Sequence, residues 1–204
     1  MSPSESCADD LILWIKEILT HREIKRVSIE GAHTASLVRA GVLLPLFCKD
    51  GSYHCLFTRR TDKVKRHKGE ISFPGGIYDI SDEDLSATAL REAHEEIGLE
   101  PQDVQLLGEL DEVMTMTDFV VSPFVGFIPY PYSFVLSEEE IAEIIVLPLS
   151  GFLKEGILTE QDWTYGDKTA KVYTYHCGRH IIWGATARIL RQLLALIPTE
   201  RVRG

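Results

Sequence analysis

A short run, Arg91-Glu92-Ala93-His94-Glu95-Glu96-Ile97-Gly98-Leu99-Glu100, constrains this chain more than any other stretch. At roughly 100° per residue its spacing suits a helix, with Glu92, Glu95 and Glu96 on one arc and Leu90, Ala93 and Ile97 on another suited to burial. Gly98 reads as the residue that ends the helix. The acids therefore crowd at its C-terminal end, where like charges at i and i+4 repel and carboxylates oppose the negative end of the helix dipole. A divalent cation offsets both penalties, and hard Mg²⁺ or Mn²⁺ prefers carboxylate oxygens. A solvated acidic face is the plainer reading of such a helix taken alone. The residues upstream decide between the two.

Length and charge narrow the class. With 204 residues, 45% of them apolar, the chain is long enough to bury one sizeable core, and a single domain is expected. Its longest apolar runs are too short to span a bilayer. Residues 1–6 lack a basic and then apolar leader, and Arg201-Val202-Arg203-Gly204 carries no peroxisomal or retention tripeptide, so a cytoplasmic protein is expected. Cys7, Cys48, Cys55 and Cys177 show neither CxxC spacing nor the density of a disulfide scaffold and read as reduced thiols. A net charge of −10 argues against nucleic-acid or anionic-membrane partners. Residues 59–68 are the exception: six basic residues face Asp62 alone, with His67 in addition. That stretch reads as a solvated loop or, beside a metal-type acidic cluster, as a feature for a phosphate-bearing anion.

Residues 11–19 look helical, capped by Asp9 or Asp10, and residues 39–48 and 53–58 read as strands joined at Asp50-Gly51, a strong hairpin signal. Phe73-Pro74-Gly75-Gly76 marks a strand running into a glycine-permitted bend. Ser81 or Asp82 is placed to cap the acidic helix. Residues 104–107 and 119–128 read as strands, 129–137 as a loop, and Ser137-Glu138-Glu139-Glu140 as a helix start before a buried strand at 144–147. Residues 173–176 and 180–183 look like paired β segments around Gly178, and residues 185–196 like a closing amphipathic helix. Strands and helices interleave without regular alternation, so the expected architecture is α/β (α+β), a mixed sheet sandwiched between helices.

Taken together, Phe73-Pro74-Gly75-Gly76 and Arg91-Glu92-Ala93-His94-Glu95-Glu96-Ile97-Gly98-Leu99 resemble the Nudix box, usually written Gly-x5-Glu-x7-Arg-Glu-U-x-Glu-Glu-x-Gly-U with U apolar. Every position from Arg91 onward fits. The front half carries one inserted residue: counting from Gly76 the expected acid is Asp82, and counting back from Arg91 it is Glu83. The inserted form resembles the coenzyme A diphosphatase branch, through Gly75-Gly76-Ile77-Tyr78-Asp79-Ile80-Ser81-Asp82-Glu83-Asp84 and Thr88-Ala89-Leu90-Arg91-Glu92-Ala93. Leu56-Phe57-Thr58-Arg59-Arg60, His67-Lys68-Gly69-Glu70 and Ile182-Trp183-Gly184-Ala185-Thr186-Ala187 resemble further signatures of that branch; Ile77 departs from its frequent lysine.

The resemblance implies a Nudix-type domain over residues 36–198, preceded by a helix and lead-in at 1–35 that belong to the same domain and followed by a tail at 199–204. It implies a Mg²⁺- or Mn²⁺-dependent hydrolase that splits the diphosphate of coenzyme A or an acyl-CoA, acting as a monomer or homodimer on a small molecule. A Nudix hydrolase of ADP-ribose, NADH or a nucleoside triphosphate is the near alternative, and a catalytically silent nucleotide-sensing module the distant one. Glu92 and Glu96 are the expected metal ligands, joined by the carbonyl of Gly75; Glu95 either ligates or accepts the proton from water. Arg91 is expected to hold a carboxylate in preference to contacting phosphate. Glu70 is open as that partner, as a ligand or as a base. Arg60, His67, Gly69 and Glu70 form the expected substrate-binding set, with His67 open between a phosphate contact and a structural hydrogen bond. Arg59, Lys63, Lys65 and Arg66 read as steering charge. His94 reads as packed or surface. Among Glu138, Glu139, Glu140 and Glu143 one is within reach of the metals, although helix-start decoration is the plainer reading of the first three. Trp163, Tyr165 and Trp183 read as core aromatics before adenine platforms.

Overall fold

Asp50 and Gly51 take left-handed backbone angles (φ 50° and 72°), the conformation of a two-residue hairpin turn, and so join β1 (Val38–Lys49) to β2 (Ser52–Arg60). The computed structural model describes Cys7 and residues 10–28, 37–63, 67–165 and 168–202, without the side chains of Tyr165 and Lys168. Asp9, Lys65 and Arg66 lie outside those residues.

β1 is the centre of a mixed sheet. On one edge it runs parallel to β7 (Phe119–Phe127) from Val38↔Phe119 to Leu46↔Phe127. The other edge is shared: β4 (Gly75–Ile77) pairs with Ala40 to Val42, and β2 with Leu46 to Lys49. Leu43 sends its N–H to Pro74 on that shared edge (2.9 Å). By strand alternation the missing N–H of Pro45 faces the same gap, where no ladder bond is forfeited. β3 (Ile71–Ser72) and β8 (Ile141–Pro148) pair with β2; β5 (Gln105–Glu109) and β6 (Val113–Met114) pair with β7.

Burial on both faces explains why β1 is apolar almost throughout. Leu43, Phe47 and Leu56 pack with Ala89, Ala93, Ile97 and Leu99 beneath α2 (Leu85–Ile97). Leu44, Leu46, Cys55 and Phe57 face the opposite core, built with Leu11, Ile15 and Leu19 of α1 (Asp10–His21) and Leu190 and Leu193 of α3 (Gly184–Leu196). Ala89 and Ala93 at one-turn spacing let α2 lie close to the sheet, and a Cβ on Gly41 would collide with the Leu85 carbonyl. Burying Ile97 alone contributes on the order of 2 kcal/mol. A second sheet, β9 (Leu158–Tyr165), β10 (Lys168–Cys177) and β11 (His180–Trp183), is antiparallel, and its inner residues Tyr175 and Ile182 reach the α3 core. α4 (Thr199–Val202) buries Val202 against the same core.

Three expectations need correction. Ser137 to Glu140 form a turn and no helix: the N–H groups of Glu140 and Ile141 both bond the Ser137 carbonyl, and the strand begins at Ile141. The β-branched run that follows overrides the weak helix-start signal. Cys7 and Cys48 are joined in a disulfide (Cα–Cα 5.7 Å), so these two are not reduced thiols, while Cys55 and Cys177 are free. Their 41-residue separation hid the pairing from any spacing rule. Trp163 and Trp183 are 49% and 39% exposed and tilted against each other on the outer face of the second sheet, not packed in a core. Among the described residues no helix is long and apolar enough to cross a membrane.

Candidate active site

The helix that carries the acids is fixed at both ends. Asp84, in extended conformation, accepts the N–H groups of Ser86 (2.8 Å) and Ala87 (2.9 Å), so the cap is Asp84, not Ser81 or Asp82 as expected. At the other end Gly98 turns left-handed (φ 67°) and donates its N–H to the His94 carbonyl (2.8 Å).

Releasing Asp82 from the cap gives it another task. Its buried carboxylate receives Arg91 Nε at 2.9 Å and Nη2 at 3.1 Å, the Thr88 hydroxyl at 2.8 Å and the Asp79 N–H at 3.1 Å. The Arg91 guanidinium, ahead of these other donors, holds Asp82 down to about 2. Glu83 is exposed, so the ambiguity left by the inserted residue resolves to Asp82. Arg91 also reaches the acids of its own helix, Nη1 donating to Glu92 Oε1 at 2.8 Å and Glu95 Oε2 at 3.1 Å, while Nη2 donates further to the Ile77 carbonyl at 3.2 Å. Arg91 thus pairs with carboxylates as expected, but Glu70 is not among them.

Glu96 is 2% exposed. Burial, resisted by Arg60 and reinforced by Glu92, pushes its carboxyl up to about 8. Its Oε1 accepts Arg60 Nη1 (3.3 Å) and its Oε2 faces the Gly75 N–H (3.4 Å). Glu92, half-buried, is also raised, first by burial and then by Glu95 and Glu140 against the opposing Arg91. Two glycines allow close approach beneath the acids. A Cβ on Gly76 would stand within 2.5 Å of each Glu92 carboxylate oxygen, and one on Gly75 (φ 155°) within 2.7 Å of the Val42 Cα.

Among the other expected residues, Arg60 lies in the cluster, where its second amino group is 3.6 Å from Glu140. Glu140 is the acid the sequence reading undervalued. The turn at Ser137 and two bonds to Thr61 (its N–H to the Glu140 carbonyl, its hydroxyl to the Glu139 carbonyl, both 2.8 Å) bring that loop to Arg60. The alternation beginning at Ile141 was the available signal. His67 Nδ1 lies 2.9 Å from Glu70 Oε2, so these two pair with each other at the surface, outside the Glu92–Glu96 group. Gly69 (φ 68°) donates to the Arg60 carbonyl (3.2 Å) and closes the turn between β2 and β3. Lys63 pairs with Glu139 at 3.0 Å, and His94 is exposed near Glu100.

A cleft of about 390 Å³ opens beside Glu92, Glu95 and Arg91, walled by Ile77, Tyr78, Asp79 and Ser81. Among the described residues no three acidic, histidine or cysteine side chains converge into a ready metal cage, because Arg60 and Arg91 stand between the acids. The donor chemistry nonetheless fits a hard cation: oxygen ligands throughout, and carboxyl groups at Glu92 and Glu96 raised first by burial and further by neighbouring acids.

The chain is also similar to known proteins. Residues 37–161 match the family model described as NUDIX domain. The chain is 38% identical over 169 residues to NudL of Photorhabdus laumondii, an uncharacterized Nudix hydrolase, covering 83% of this chain and 87% of that protein. It is 35% identical over 169 residues to mouse peroxisomal coenzyme A diphosphatase NUDT7, covering 78% of this chain and 70% of that one. The crystal structure of a MutT/nudix family protein from Enterococcus faecalis shares the fold (TM-score 0.52, 13% identity, 92% of this chain and 68% of that chain).

Proposed function

Since the chain belongs to the Nudix hydrolase family, we propose that it hydrolyses the diphosphate linkage of coenzyme A or an acyl-CoA, giving adenosine 3′,5′-bisphosphate and 4′-phosphopantetheine or its acylated form. The single observation that carries the substrate assignment is the 35% identity, over 78% of this chain, to a protein named as a coenzyme A diphosphatase. The acidic end of α2 supplies chemistry that suits it.

Glu92 and Glu96 would hold Mg²⁺ or Mn²⁺, with Glu95, Glu140 and the Gly75 carbonyl as further oxygen donors; the cation supplies positive charge to the diphosphate and makes water more acidic. Arg91, anchored on Asp82, fixes the orientation of Glu92 and Glu95 toward the cleft. Where Glu95 does not itself ligate, it takes the proton from the attacking water, since Glu92 and Glu96 are committed to the cation and Glu95 lines the cleft. Arg60, beside Glu96, donates to the phosphate oxygens.

Purified protein incubated with Mg²⁺ or Mn²⁺ and coenzyme A is expected to release two phosphate-bearing fragments, separable by anion-exchange chromatography. Preference for ADP-ribose or NADH by a wide margin would overturn the substrate assignment, and full turnover in excess chelator would overturn the metal.

A further inference from the structure

Beside the acidic cluster lies a group of positive side chains that none of the roles above uses. Arg59 and Arg60 are consecutive in β2, and the register with β8 shifts between them. A bulge of this kind breaks simple alternation and re-aims neighbouring side chains. Arg60 goes to Glu96 on α2. Arg59 goes to β8 and the second sheet: its Nε donates to Glu143 at 2.6 Å, and its Nη2 lies 3.1 Å from His180 Nδ1. Arg179, in the turn before β11, approaches from the far side, with Nη2 3.7 Å from Glu143 and Nε 3.4 Å from His180 Nε2.

Donors and acceptors in this group do not balance. A neutral imidazole has one acceptor nitrogen and an imidazolium has none, yet both ring nitrogens of His180 face a guanidinium. The two guanidinium groups carry two positive charges toward the single negative charge of Glu143. The group is also reachable: Arg179 is 78% exposed and Arg59 31%. An incoming tetrahedral anion would meet two planar forks of the kind that bind phosphate bidentately. It would also give His180 a single consistent role, donating from one nitrogen while accepting at the other. Burial, followed by Arg179 and Arg59, holds His180 below its usual value.

We infer that Arg59, Arg179 and His180 form a subsite for a phosphomonoester carried by the substrate, distinct from the position of the diphosphate beside Glu96. The inference deepens the coenzyme A reading and rests on it: the 3′-phosphate of coenzyme A is the phosphomonoester that ADP-ribose lacks. Partners for that group then come from two separate elements, β2 and the β10–β11 turn, with consecutive Cα atoms ~3.8 Å apart linking the two subsites at Arg59 and Arg60.

The test compares kcat/KM for coenzyme A and for dephospho-coenzyme A in Mg²⁺, in the wild type, Arg179→Ala and Arg59→Lys. The wild type is expected to favour coenzyme A by about tenfold or more, the scale of a charge-assisted hydrogen bond. Both variants should shrink that preference, mainly through KM for coenzyme A. Arg179→Ala alters an exposed side chain, and matched circular dichroism spectra and thermal midpoints verify that each variant folds. Equal use of the two substrates by the wild type, or an undiminished preference in both folded variants, overturns the subsite while leaving the coenzyme A reading intact. A wild type that cleaves neither compound overturns the reading beneath it.

Discussion

Asp82 and Arg91 meet through a two-pronged ion pair, Nε to Oδ1 at 2.9 Å and Nη2 to Oδ2 at 3.1 Å, and the third nitrogen of the same guanidinium faces Glu92 and Glu95. In the proposed mechanism Asp82 acts on the reaction through another side chain. Asp82→Ala is expected to lower kcat at least tenfold with a smaller change in KM. It should also destabilise the fold by about 2–3 kcal/mol, since it strands a partly buried guanidinium. Steady-state kinetics and urea unfolding check both. An Asp82→Ala enzyme with wild-type kcat would show that Arg91 needs no anchor.

The same pair gives a dependence on acidity. The folded-state pKa of Asp82, about 2, lies below its ordinary 3.8. The pair therefore adds stability that is complete above about pH 4 and lost as pH falls through about 2. The amount is about 2 kcal/mol, and unfolding free energies across that window should show it in the wild type and not in Asp82→Asn.

Glu96 has the opposite sign. Its folded pKa of about 8 exceeds the ordinary 4.5, so its protonated form favours the fold below about pH 4.5, and that contribution is lost as pH rises through 8. In chelator, wild type should lose thermal stability between these values while Glu96→Gln stays nearly flat. Added Mg²⁺ at pH 8 should raise the midpoint of wild type and leave that of Glu96→Gln almost unmoved. Turnover by Glu96→Gln should fall roughly 100-fold or more. Parallel melting curves for the two proteins would remove Glu96 from the metal site.

Gly76→Ala tests the close approach beneath Glu92. The new methyl would stand within 2.5 Å of both carboxylate oxygens, so the acid must move. Activity is expected to drop about tenfold or more, as misplaced catalytic groups do, with little change in melting temperature. Gly178→Ala is the contrasting variant: nothing lies within 4 Å, but φ is 62°, so about 1 kcal/mol of stability is lost through backbone strain.

Cys7–Cys48 closes a loop across 41 residues. The chain-entropy estimate puts its contribution at about 3–4 kcal/mol, and Cys48→Ser should lose most of it in chemical unfolding under oxidising conditions. Equal stability of the variant and the oxidised wild type would show that the bond does not form in solution.

Much of the site was legible because its signals are local. Gly98 as the helix stop, the shared arc of Glu92, Glu95 and Glu96, and the Asp50-Gly51 hairpin each depend on a few adjacent residues. The sandwich of helices around a mixed sheet followed from the order of the periodic segments. Asp82 remained ambiguous because a one-residue insertion is resolved only by the reach of Arg91. Glu140 could not be singled out among its neighbouring acids, and the Arg59–His180 group was hidden, for a related reason: strand pairing, β2 with β8 and β3 beside β11, creates neighbours that no spacing along the chain encodes. The Cys7–Cys48 bond belongs to the same kind of long-range fact.

The parallel pairing of β1 with β7 has a temporal consequence. Val38 must wait for Phe119, and Leu46 for Phe127, before the middle of the sheet exists. Everything that bears chemistry on α2 is made in the interval between them. On the ribosome, then, the acidic helix would emerge before the floor it rests on is complete, its carboxylates still bathed in water and mutually tolerant. Their conflict would begin only when the last central strand arrives.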